Sequence, residues 1–241
     1  MSGIFKGGTG RSGSGAQRTA LPSRAARGKI RLMATASRYD EVISLPRAVR
    51  FPVEMIPPED FDPEKLETWP QVVGRLEYVD GRLLFMPPSG DFQQDTTTDV
   101  VITLGAWVRK HPEFVLGTNE AGMRLEGATR AADAAVWRRA ELGAYDGGLR
   151  RVPPLLAVEV AGVDEGDSEN ALRSKAGWYL SVGVAVVWIL LPRSREVLVI
   201  SPEGEKRLSI RTGRERMPAH PALPDLRPKV SELFAQVRAR R

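Results

Sequence analysis

Seven residues with a single charge among them set the terms for this chain: Leu155-Leu156-Ala157-Val158-Glu159-Val160-Ala161, entered from Pro153-Pro154 and left through Gly162. An apolar run this short, bounded by proline and glycine, predicts a strand buried on both faces. A carboxylate in the middle of such a strand is costly unless cations or hydrogen bonds replace the lost water. The next segment, Ser168 to Ser181, supplies a partner. Leu172, Ala176, Tyr179 and Leu180 recur there at helical spacing, and Lys175 falls on that apolar stripe rather than on the solvent face. Upstream, Asp133 is the only charge in the strand-like run Ala131-Ala132-Asp133-Ala134-Ala135-Val136-Trp137. Two acids on buried strands and a lysine on the following helix meet the needs of a metal-dependent phosphodiesterase.

The rest of the composition narrows the metal. The 241 residues suffice for one domain with a real core. There is no cysteine, which excludes a disulfide framework and a thiolate zinc site. The two histidines, His111 and His220, are far apart and each adjoins a proline. A metal here is therefore expected to be held by oxygen, as Mg²⁺ or Mn²⁺ is. The longest apolar run, Val182 to Leu191, is about half of the roughly 20 residues a membrane helix needs. The expectation is a cytoplasmic protein that does not span a membrane. The net charge of +5 misleads: of 35 Lys and Arg, eight lie in residues 1–39, which contain no acid, so the remainder is net acidic. Basic composition thus gives no argument for nucleic-acid binding by the folded part. Residues 1–40 read as a disordered basic tail, with Met33 an alternative start, and residues 41–241 as a single domain.

Taken in order, a proline-rich lead-in with a short helix near Pro63 to Thr68 precedes a hairpin. Its strands run Gly74 to Val79 and Arg82 to Met86, around Asp80-Gly81. A helix from about Asp91 to His111 carries Val100, Val101, Leu104, Trp107 and Val108 on one face. Strands are expected at Glu113 to Leu116 and Met123 to Glu126, joined through Gly117 to Gly122, and then at Asp133 to Arg138 and Leu155 to Ala161. An acidic loop with Asp164, Glu165, Asp167 and Glu169 leads to the Lys175 helix, which Ser168 is placed to cap. Val184 to Leu191, Arg195 to Ile200 and Lys206 to Ile210 follow as strands, then an amphipathic helix at Lys229 to Arg238. This is an α/β order: a central mixed sheet with a helix on each side.

Plainer roles exist for each candidate. Asp133 serves equally as the end of a strand, and Glu159 with Lys175 as a buried structural ion pair. Lys175 is also long enough to snorkel to solvent, and Glu77 reads most simply as an exposed hairpin residue. A resemblance adds to the residue reading. Arg75-Leu76-Glu77-Tyr78-Val79-Asp80-Gly81-Arg82-Leu83-Leu84 and Met86-Pro87-Pro88-Ser89, followed by a long helix, resemble the opening of the Uma-type, DUF820-like restriction-endonuclease family of the PD-(D/E)xK nuclease superfamily. The likeness continues through Asp133, Ala157 to Val160, Lys175, Gly177 to Val184 and Val187 to Leu190. The lysine usual two residues after the glutamate is Ala161 here, and the family is similar in moving it to the next helix. Near the family's early helical histidine stand Gln93 and Gln94. The resemblance implies a restriction-endonuclease-like core and an Mg²⁺- or Mn²⁺-dependent DNA endonuclease. Asp133, Glu159 and the backbone carbonyl of Val160 would be the metal ligands, Lys175 the catalytic lysine and Glu77 a supporting acid. A homodimer would suit cleavage of both strands. The rival readings are a non-catalytic nucleic-acid-binding or regulatory module and a purely structural network.

Overall fold

In the computed structural model, residues 49–145, 147–162, 168–212 and 214–237 are described. They belong to one compact unit, Pro46–Arg241. The tail expected over residues 1–40 and most of the acidic loop (Asp164, Glu165 and Asp167) lie outside the described residues.

Among the described residues nine strands form one mixed sheet: β1 (Val53–Met55), β2 (Arg75–Val79), β3 (Arg82–Met86), β4 (Phe114–Leu125), β5 (Ala128–Arg138), β6 (Leu156–Val160), β7 (Val186–Leu191), β8 (Glu196–Ser201) and β9 (Gly204–Ser209). The order is β1-β3-β2-β5-β6-β7-β8-β9, with β4 paired to β5. Only β6 and β7 run parallel, joined by α2 (Glu169–Ser181) as a crossover helix. Two of the three two-residue hairpins have residues with positive φ at both turn positions: Asp80 at 49° and Gly81 at 77°, Glu126 at 45° and Gly127 at 81°. That is the backbone twist a two-residue connection favours; in the third, Pro202-Glu203 between β8 and β9, the positive φ falls at Gly204 instead.

Each face of the sheet carries one core. Side chains alternate along a strand, so Val158 and Val160 join Val100, Leu104 and Trp107 of α1 (Asp91–Val108) on one side. Ala157 joins Leu172, Ala176 and Tyr179 of α2 on the other. Ser168 caps α2 as expected, accepting from the Ala171 N–H. Three expectations need correction. The strands expected at Glu113 to Leu116 and Met123 to Glu126 are one continuous strand, β4, whose register shifts between Thr118 and Ala121. The helix expected at Lys229 to Arg238 is not an α-helix over its described residues, 229–237: a 3₁₀ turn spans Val230–Phe234, and the main chain of Gln236 instead donates to Asp99 on α1. The short helix near Pro63 is a single 3₁₀ turn, Leu66–Thr68.

Candidate active site

The site lies where the sheet forks. At Ala135 of β5, Gly117 of β4 pairs on one edge and Ala157 of β6 on the other; at Thr129 the partners are Arg124 of β4 and Tyr78 of β2. β2 and β6 therefore share one edge of β5, and between them the ladder lapses. The main-chain groups released there still need partners, and side chains supply them. The Ala131 N–H donates to Glu77 Oε1 at 3.2 Å, and the Ala131 carbonyl accepts from Lys175 Nζ at 2.8 Å. The Val160 N–H donates to Asp133 Oδ2 at 2.7 Å, and its carbonyl accepts from Gln93 Nε2 at 3.1 Å.

The candidates Glu77, Asp133, Glu159 and Lys175 all meet at this fork. Extending the Ala134–Val158 register by one residue sets Asp133 opposite Glu159. Lys175 reaches in from α2, 2.7 Å from Glu77 Oε1 and 3.1 Å from Glu159 Oε1. Its third contact is the Ala131 carbonyl, so all three ammonium protons are engaged. Two plainer expectations fall. Glu77 is not on an exposed hairpin face but 4% exposed, because the strand face it shares with Arg75 turns toward α2. Lys175 does not snorkel; its side chain is 11% exposed. Nor does Asp133 end a strand: the strand expected from Asp133 to Arg138 begins at Ala128, so Asp133 lies inside β5.

Four further residues belong to the site. Tyr179, one helical turn after Lys175, donates its hydroxyl to Glu159 Oε1 at 2.7 Å. Arg130 lies 3.3 Å from Glu77 Oε2 and over the Trp178 ring. Arg75 stands 3.8 Å from Asp133 and 3.7 Å from Glu120. Glu120 itself comes from the β4 register shift, which sets two residues, Asn119 and Glu120, against Asp133. Arg75 had a legible signal, the i, i+2 alternation with Glu77. Glu120 had none, because its segment read as a connection.

The electrostatics divide the acids. Burial would raise Glu77, but the Lys175 and Arg130 charges and the bonds from Lys175 and Ala131 outweigh it and hold the carboxyl below its ordinary range. Burial dominates at the other two. Asp133 is pushed up to about 6 against the pull of Arg75 and the Val160 N–H. Glu159 is pushed up to about 7, with Lys175 opposing and the charges of Asp133 and Glu77 adding. Lys175 is held above its ordinary value: burial opposes its charge, and Glu159 and Glu77 prevail.

Could these residues hold a metal? The donors at the gap are all oxygen. A strand residue points its N–H and C=O to the same edge, so the Val160 carbonyl faces the side from which Asp133 bonds the Val160 N–H. Among the described residues no three His, Asp or Glu side chains gather into a cage. One or two carboxylates with a carbonyl, completed by water, are the habit of Mg²⁺. The donor set fits such a cation.

A family model, Uma2, described as "Putative restriction endonuclease", matches residues 63–233, well over half the chain. The chain belongs to the Uma2 family. A solved structure from Anabaena variabilis, described as a "putative nuclease belonging to DUF820", resembles this Uma2 chain with a TM-score of 0.62. The match covers 71% of this chain and 96% of that one at 15% identity, a likeness of fold. No curated protein matches. Among the described residues, no helix of this Uma2 protein is long and apolar enough to cross a membrane.

Proposed function

We propose that this protein is an Mg²⁺-dependent DNA endonuclease, with Mn²⁺ as an alternative metal, and that the fork of the sheet is its active site. One observation carries the reading: Asp133 and Glu159, on neighbouring strands, and the Val160 carbonyl converge beside a lysine bonded to Glu159. Asp133, Glu159 and Val160 would hold the metal. A bound Mg²⁺ supplies Lewis acidity, polarising a phosphate oxygen and lowering the pKa of the attacking water. Lys175 orients Glu159 and, with its three protons already bonded, contributes its positive charge to the anionic transition state through the field rather than by a free donor. Glu77 holds Lys175 in place, and Tyr179 fixes the rotation of the Glu159 carboxylate. Water attacks phosphorus in line, and the P–O bond to the departing sugar oxygen breaks.

The same saturation of Lys175 favours a second reading, in which the cluster is structural and the nuclease fold serves binding or regulation. Plasmid cleavage by purified protein with Mg²⁺, Mn²⁺ or EDTA separates the two, alongside Glu159→Gln and Lys175→Met. The nuclease reading expects metal-dependent nicking or linearisation that both folded variants lose. Absence of cleavage with either metal, together with no metal-induced rise in melting temperature, would leave the binding module.

A further inference from the structure

Arg75 and Glu77 alternate on one face of β2, so a cation and an anion enter the fork from the same strand. Glu77 is spoken for by Lys175 and Arg130. Arg75 has a different task. Its guanidinium lies between two acids on other strands, 3.8 Å from Asp133 Oδ1 and 3.7 Å from Glu120 Oε1, with its side chain 10% exposed. Glu120 adopts φ of 62° at the β4 bulge, a conformation a non-glycine residue rarely takes. The bulge thereby sets a second, more exposed acid beside Arg75. Glu120 is 37% exposed and lines a cavity of about 280 Å³ with Asp133, Ser89, Gln94, Thr97 and Thr98. Asp133 bonds the Val160 N–H through Oδ2, so the oxygen Arg75 faces is the one not committed to that bond.

We infer that Arg75 is the resident counter-cation of Asp133, that a divalent cation competes with it for that carboxylate, and that Glu120 is the seat that retains the guanidinium when the metal is bound. The inference rests on the reading of Asp133 as a metal ligand. A doubly charged ion on Asp133 would meet a like charge a few ångströms away, and such a charge, even well screened, weakens binding about tenfold or more. Glu120 reduces that repulsion by holding the guanidinium to itself rather than to Asp133. Arg75 therefore acts as a positioning residue that sets metal affinity.

The test is Mn²⁺ binding at pH 8, followed by the electron paramagnetic resonance of free Mn²⁺ and by calorimetry, with folding checked by circular dichroism. The proteins are wild type, Arg75→Gln, Arg75→Lys and Glu120→Gln. Arg75→Gln is expected to bind Mn²⁺ about tenfold or more tightly than wild type. Arg75→Lys, which keeps the charge, should stay near wild type. Glu120→Gln should bind more weakly, because the guanidinium is then left to Asp133 alone. Wild type that binds while folded Arg75→Gln binds equally or less overturns the inference and leaves the metal site standing. Binding by Arg75→Gln alone supports it. No binding by any of the four overturns the metal-dependent reading and this inference with it. Should Arg75→Gln not fold, unchanged affinity in Glu120→Gln overturns it.

Discussion

Replacing Lys175 with methionine keeps an unbranched side chain one atom shorter and removes one charge from between two buried carboxylates. The attraction lost is large: at an effective dielectric of about 20, a charge at 2.7 Å from Glu77 and 3.1 Å from Glu159 interacts with each by roughly 5–6 kcal/mol. Burying the lysine had its own cost, which the variant recovers. The net loss for removing one partner of a buried pair is about 3–5 kcal/mol. The acids have a way out, because each can take up a proton. Glu159 already stands near 7, and Glu77 loses the charge most responsible for keeping it low. In the variant the native state then binds protons that the unfolded chain has released, so stability falls as pH rises. Each carboxyl held protonated adds about 1.4 kcal/mol of loss per pH unit. Urea unfolding at pH 8 should therefore show a deficit of about 3–5 kcal/mol relative to wild type, and at pH 6 a deficit smaller by about 2–3 kcal/mol. A deficit below about 1 kcal/mol, or one that does not change with pH, would refute the coupling of lysine to acids.

The wild type has its own pH dependence. Asp133 near 6 and Glu159 near 7 both sit above their unfolded values, so metal-free stability should decline as pH rises from about 5 to 8, and Mg²⁺ should recover it; melting curves in EDTA and in Mg²⁺ check this, and flat metal-free curves count against it. Tyr179→Phe removes the 2.7 Å bond to Glu159 and should cost about 1–3 kcal/mol, while moving the pH at which Mn²⁺ begins to bind upward; unchanged pH dependence would mean the phenol does not hold the carboxylate. Gly117→Ala would bring a Cβ to 2.6 Å from the Trp137 ring and should lower stability by about 1–3 kcal/mol, whereas Gly143→Ala, which meets nothing within 4 Å, should be nearly neutral in the same denaturation assay.

Much of this was legible in the chain. The Asp-Gly turn, the apolar run around Glu159 and the helical spacing that sets Lys175 beside Leu172 and Tyr179 are local patterns, and local patterns survive folding. The fate of Glu77 was not local. Alternation says that one face of a hairpin differs from the other, but the arrival of Lys175 from α2, 98 residues away, made the face of Glu77 the buried one. Gly117 to Gly122 read as a connection because two glycines and an asparagine break the alternation. The edge of β5 kept that segment extended and absorbed the surplus residue as a bulge. At the C-terminus, the amphipathic pattern of residues 229–238 lost to the Asp99 carboxylate, which takes both the main-chain and side-chain N–H groups of Gln236.

Side chains that stand in for missing rungs of the sheet bind chemistry and architecture together. Removing Glu77, Asp133 or Lys175 strips a main-chain group of its partner as well as altering the site. Glu159 differs: its carboxylate accepts from Tyr179 and Lys175, both side chains. If the proposed function holds, it is the acid at which activity can be separated from folding, and Glu159→Gln, nearly the same shape and uncharged, is the substitution expected to give a silent but intact form of this protein.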